Sequence, residues 1–248
     1  MSKIKISLLS ICTSELIYIF CLKEALDNLN ETSKKTGNIA STNIEGICSN
    51  ITIDKPTVEL YPQIFTLDFG TTDDTKNKIS KKGKLKVTLK GSLTEIGSEM
   101  EVERIDYSIN GMKLGGTIVY TNTTNDHTAP QWTGEIENGK FTDLSGKMYT
   151  STGFHTVKQT NGFATTTSEE AIYEIIEGEY TVMTDAGGKL TLTVQEPLVK
   201  KDSSEFISKG KLKIEGGFLN GIIDYGNHDL DPKQTYTHED GAVYILSI

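Results

Sequence analysis

The sequence predicts an all-β protein: a long antiparallel meander curled into a barrel-like domain or packed as a sandwich, behind an N-terminal signal and tether segment. Three observations carry this expectation. Apolar and polar residues alternate with period two over successive stretches, Asn-Gly pairs punctuate them, and helical spacing is not sustained anywhere after Asn50.

The first segment reads as an address. Lys3 and Lys5 precede the apolar run from Ile6 to Ile11, which resumes from Leu16 to Leu22 after the polar break Thr13-Ser14-Glu15. A charged n-region followed by an apolar h-region marks residues 1–22 as a signal peptide or lipoprotein signal. Cys21 is the lipidation candidate, although Phe20 stands where such signals carry a small residue. A cleaved soluble protein and an uncleaved signal anchor are the alternatives. A spanning helix would place Glu15 near the bilayer centre at a cost of about 2.5–3.5 kcal/mol. Residues 23–55, rich in Asn, Ser, Thr, Lys and Glu, have linker composition and would hold a single β domain, 56–248, away from a membrane or wall.

Within that domain, Lys84-Leu85-Lys86-Val87-Thr88-Leu89-Lys90 alternates strictly, so one face is apolar and the other is lysine and threonine, as in a half-buried strand. The same period returns at Met112, Leu114, Ile118 and Tyr120, at Leu190, Leu192 and Val194, and at Leu212 and Ile214. Hairpin turns are expected at Asn110-Gly111, Asn138-Gly139, Asn161-Gly162 and Asn220-Gly221, because both residues tolerate the positive φ of a type I′ turn. Another is expected at Asp185-Ala186-Gly187-Gly188. The apolar phase slips between Val102 and Ile105 and between Ile175 and Ile176, which predicts a β-bulge at each place. Trp132 alternates with Ile136 and reads as a core residue, with a sugar-stacking platform as the functional alternative.

Thr66-Leu67-Asp68-Phe69-Gly70, Lys81-Lys82-Gly83-Lys84-Leu85, Tyr107-Ser108-Ile109-Asn110-Gly111, Tyr173-Glu174-Ile175, Pro197-Leu198-Val199-Lys200-Lys201 and Asp224-Tyr225-Gly226 occur in that order. In them the chain resembles a family of uncharacterised Bacteroidota secreted lipoproteins of Bacteroides and Flavobacterium type. The resemblance implies location and fold type, over roughly Leu60 to Ile248, and brings no activity with it. Where such proteins carry cysteines, this chain has Thr72, Ser204 and Asp229, which looks like the loss of disulfides.

Composition narrows the partners. The net charge of −9, with Arg104 the only arginine, argues against nucleic acid and other polyanions. Cys12, Cys21 and Cys48 all lie near the N-terminus, so the body holds no cysteine-based zinc site or disulfide framework. Asp224, Asn227, Asp229 and Asp231 collect oxygen ligands at short spacing and form a calcium candidate, without the glycine and distal glutamate of the twelve-residue calcium loop. Asp73 and Asp74 make a poorer cluster. His127, His155, His228 and His238 show no zinc spacing and read as loop or edge-strand residues. The glycine pairs beginning at Gly115, Gly187 and Gly216 read as turn and bulge residues, since no helix follows them to make a phosphate cradle. No Gly-x-Ser-x-Gly elbow appears, so no catalytic residue is assigned. No cofactor is expected apart from the calcium candidate. The expectation is an exported envelope or surface lipoprotein, outer-membrane or periplasmic, acting as a binding or structural module. Its partner would be a glycan or an envelope protein, and it would touch a membrane only through the lipid or signal segment. The alternative is a glycosidase-like hydrolase using paired carboxylates on the β scaffold.

Overall fold

The computed structural model describes residues 41–44, 48–53, 61–70, 80–125, 129–162, 171–201, 207–227 and 233–247. All regular structure in them is strand. The strands are β1 (Ser41–Ile44), β2 (Cys48–Ile53), β3 (Gln63–Asp68), β4 (Lys81–Leu89), β5 (Glu99–Ile109), β6 (Met112–Asn122) and β7 (Gln131–Thr142). They continue as β8 (Met148–Asn161), β9 (Ile172–Thr184), β10 (Lys189–Lys201), β11 (Ile207–Glu215), β12 (Gly221–Asn227), β13 (Lys233–His238) and β14 (Val243–Ser247). Each neighbours the next in sequence order, an antiparallel meander, and β1 and β14 are the two ends of that order, so the ladder is not closed into a barrel.

β1 and β2 lie inside the stretch expected to be a linker. Regular pairing thus begins upstream of residue 56, where Thr42 pairs with Ile51 and Ile51 in turn with Leu67. The chain divides into two compact units, one of Met1–Thr121 with Glu137–Met148 and one of Asn122–Ile136 with Tyr149–Ile248.

In the first unit the alternation sends Phe65, Leu67, Leu85, Val87, Leu89, Met100 and Val102 into the core. In the second, Trp132, Val157, Tyr180, Val182, Leu192, Leu212, Ile223 and Tyr236 are buried. Their apolar area supplies the main driving force for each unit.

The bulge expected between Ile175 and Ile176 is present, whereas the one expected between Val102 and Ile105 falls beyond Ile105, at Asp106, because Ile105 is exposed and Tyr107 is the residue that returns to the core. Glu103 faces Thr117 and Tyr107 faces Leu114, so β5 carries one residue more than β6, and Asp106 takes a φ of 48° there. On β9, Thr156 faces Glu177 while Val157 faces Ile175, which leaves Ile176 as the extra residue. The turns divide. Asn110 and Gly111 have φ of 49° and 81°, as a type I′ turn requires, and Thr184 to Gly188 closes the β9–β10 hairpin. Asn138-Gly139 is no turn: it lies within β7, where Asn138 has a φ of 51° beside Gly116 of β6. Asn220-Gly221 is not a two-residue hairpin either. The connection runs from Gly216 to Asn220, and the Asn220 side chain accepts the Gly216 N–H at 2.8 Å.

A correspondence that alternation alone does not show links the two units. Lys82-Gly83-Lys84-Leu85-Lys86-Val87 of β4 matches Lys209-Gly210-Lys211-Leu212-Lys213-Ile214 of β11. Each is paired with an Asp-aromatic-Gly strand end, Asp68 opposite Lys84 and Asp224 opposite Lys211. Each aspartate accepts the backbone N–H of its own glycine, Gly70 at 2.9 Å and Gly226 at 2.8 Å. Each is also ionically paired to its lysine, at 2.9 Å for Lys84 and 3.8 Å for Lys211. The chain order is reversed: Asp-Phe-Gly precedes its lysine strand, whereas Asp-Tyr-Gly follows it.

Candidate functional site

The solvent face of β8, β9 and β10 in the second unit brings an aromatic ring, carboxylates and hydroxyls together. The register sets Phe154 opposite Glu179 and Glu179 opposite Thr193. One step along, Thr152, Thr181 and Thr191 form a row across the three strands, and Thr150 faces Met183. One step the other way, Thr156 faces Glu177. All these side chains share a face because residues two apart on a strand point the same way.

Phe154 is 38% exposed. It sits on the polar parity of β8 with Thr150 and Thr152, so its ring faces solvent with Glu179 beside it. Glu179 is exposed and makes no ion pair among the described residues.

Glu177 is held by a directional chain of hydroxyls. A carboxylate only accepts, so the single Thr156 hydroxyl proton goes to Glu177 Oε1, at 2.8 Å. Thr133 must then donate to Thr156, at 2.9 Å, and Thr123 to Thr133, at 3.1 Å. Gln131 Nε2 starts the chain by donating to Thr123 Oγ1 at 3.2 Å. Thr156 is fully buried, while the carboxylate it anchors is exposed. The result is a fixed acceptor next to an exposed ring and a row of hydroxyls.

The positions singled out from sequence fall elsewhere. Trp132 is only 5% exposed, so it cannot present a face to a sugar. His155 is not a loop or edge residue: it is buried mid-strand on β8, with Nδ1 bonded to the Tyr180 hydroxyl. His238 ends β13 and pairs with Asp240 at 2.9 Å. Of the calcium candidate, Asp224 is engaged by Gly226 and Lys211 and Asn227 ends β12, while Asp229 and Asp231 lie outside the described residues. Among the described residues no group of three or more His, Cys, Asp or Glu side chains forms a metal site. Cys21, His127, His228, Asp73 and Asp74 also lie outside them. Phe154 is a candidate that the sequence did not single out, and its signal was an aromatic side chain out of phase among threonines.

No protein-family model, characterised protein or solved structure matches the chain.

Proposed function

We propose that this chain is an exported envelope protein, carried on lipid at Cys21, whose second unit binds a neutral glycan on the β8–β10 face. One observation carries the reading: the exposed Phe154 ring stands beside Glu179, with Glu177 oriented by Thr156 and the Thr152, Thr181 and Thr191 hydroxyls alongside. An aromatic face takes the apolar C–H face of a pyranose, and carboxylates and hydroxyls accept and donate to its ring hydroxyls. The net charge of −9 favours a neutral sugar over an anionic one.

The hydrolase alternative would use Glu177 and Glu179. Two residues apart on one strand, their Cα atoms are about 6.7 Å apart, but both project from the same face of the sheet. A glycosidase needs its carboxyls on either side of the scissile bond. Binding is therefore the reading this geometry supports best.

The test is titration of the protein with a panel of neutral and anionic oligosaccharides, reading heat or chemical-shift change. A neutral sugar whose binding is lost in Phe154→Ala and weakened in Glu179→Gln supports the proposal; binding that ignores both variants, or none to any sugar, rejects it. Reducing-end release from the bound sugar, lost in Glu177→Gln, would convert the reading to hydrolase. Labelled palmitate should enter the wild type and not Cys21→Ser.

A further inference from the structure

The last strand offers a different kind of surface. Among the described residues β14 pairs with β13 alone, and it contains Val243, Tyr244, Ile245, Leu246 and Ser247 without a charge, a proline or a glycine. Edge strands usually carry such residues to prevent pairing with another chain. Val243, Tyr244 and Ile245 are 60%, 45% and 70% exposed, so apolar side chains are open to solvent on both faces of this edge.

The backbone directions follow from one hydrogen bond. His238 N–H donates to the Ala242 carbonyl at 2.8 Å, which makes that pair a hydrogen-bonded one. In an antiparallel ladder hydrogen-bonded and non-hydrogen-bonded pairs alternate. Tyr244 is therefore bonded to Tyr236, whereas Val243, opposite Thr237, and Ile245, opposite Thr235, turn their N–H and C=O groups away from β13. The free edge thus presents the backbone donors and acceptors of Val243 and Ile245. Its occupant must be an extended strand, uncharged and apolar on both faces.

The geometry points to a second copy of this chain, pairing β14 with β14 antiparallel about a two-fold axis through Tyr244. That register sets Val243 opposite Ile245 of the second copy and Ile245 opposite its Val243, so the groups that point outward meet and each pair closes its hydrogen bonds. The two Tyr244 side chains then face one another as a non-hydrogen-bonded pair. The registers centred on Tyr244 or Ile245 keep each face continuous, because a one-residue slip would carry every side chain to the other face. Tyr244 already stacks on Tyr236 at 6.1 Å between ring centroids and 25° between planes, and the Tyr244 register extends that stack across the axis. No like charges meet at this edge, although the chain as a whole is strongly acidic.

The test is sedimentation of the full chain from micromolar to millimolar concentration, together with oxidation of Tyr244→Cys in a background with Cys12, Cys21 and Cys48 changed to serine. The expected results are a concentration-dependent dimer and a disulfide-linked dimer through position 244, where paired Cα atoms lie about 4.5 Å apart, within disulfide reach. Val243→Pro removes only an outward N–H and should abolish the dimer while leaving the β13–β14 ladder bonded. Should that variant misfold, Ile245→Lys, which puts like charges beside the axis, should do the same. A monomer at every concentration would overturn the proposal. So would a dimer that survives a folded Val243→Pro or Ile245→Lys, or one that leaves position 244 uncrosslinked.

Discussion

Gly83 faces Asp106 across the β4–β5 ladder so closely that a Cβ added to it would stand 2.2 Å from the Asp106 carbonyl oxygen. The bulge that extrudes Asp106 and the glycine's φ of +84° are two parts of one device. Gly210 repeats it on β11: its φ is +113° and an added Cβ would meet the Pro197 carbonyl oxygen at 2.3 Å.

Gly83→Ala and Gly210→Ala should therefore each lower stability by about 1–3 kcal/mol from backbone strain, with the clash added. Gly187→Ala is the control. It has a φ of +81° but open space around it, so only the left-handed conformation is penalised, at about 1–2 kcal/mol. Urea denaturation midpoints order the three variants. A Gly83→Ala midpoint equal to that of Gly187→Ala would show that the bulge yields freely.

Trp132 is a built-in reporter because it is the only tryptophan and lies in the core of the second unit. Native fluorescence should be blue-shifted and shielded from acrylamide, moving red on unfolding. Trp132→Ala should cost about 3–5 kcal/mol. Sugar titration should leave the emission unshifted, because the proposed ligand lies on the other face. A binding-induced shift would relocate the site towards the core side of β7.

Much of this architecture could be read from residue order. The bulge at Ile176 was visible because the apolar phase slipped there, and a slip of one residue must either turn the face over or extrude a residue. The other was placed too early, between Val102 and Ile105, because Ile105 is apolar yet exposed and the return to the core comes only at Tyr107. Asn138-Gly139 misled because the positive φ that asparagine tolerates serves a kink within β7 as well as a hairpin, and the deciding partner, Gly116, is distant in sequence. The strands at 41–53 were hidden by their Ser, Thr and Asn content, which composition alone assigns to a tether. Phe154 became legible only once register put Glu179 beside it. His155 reads as a polar residue in isolation, yet its parity on β8 buries it.

Acid should act on the first unit through Asp68. The hydrogen bond from Lys84, then that from Gly70, holds its carboxyl below the ordinary value of 3.8, against a smaller opposing effect of burial. A carboxyl depressed on folding contributes stability that is present above its unfolded value and lost as pH falls through the folded one. The loss attributable to Asp68 therefore begins near pH 3.8 and continues below it. Asp68→Asn should be less stable than wild type at neutral pH, and the gap should narrow as the solution is acidified below that point. A gap constant with pH would show that the Lys84 pairing contributes nothing to the native state.

Thr156 ties the stability of the second unit to its proposed ligand face. Its buried hydroxyl accepts from Thr133 and donates to Glu177, so Thr156→Val removes both bonds and leaves the Thr133 proton without its acceptor. Losing these two bonds, one of them to a carboxylate, costs about 1–3 kcal/mol. Thr156→Ser keeps the hydroxyl and should recover most of that loss. Glu177→Gln, exposed and still able to accept from Thr156 through its amide oxygen, should hardly move the denaturation midpoint. Sugar affinity should follow a different order, falling in both Thr156→Val, which releases the Glu177 carboxylate from its fixed orientation, and Glu177→Gln, which removes the charge. A Thr156→Val variant that loses stability but binds sugar as tightly as wild type would show that orientation of Glu177 is not used in binding.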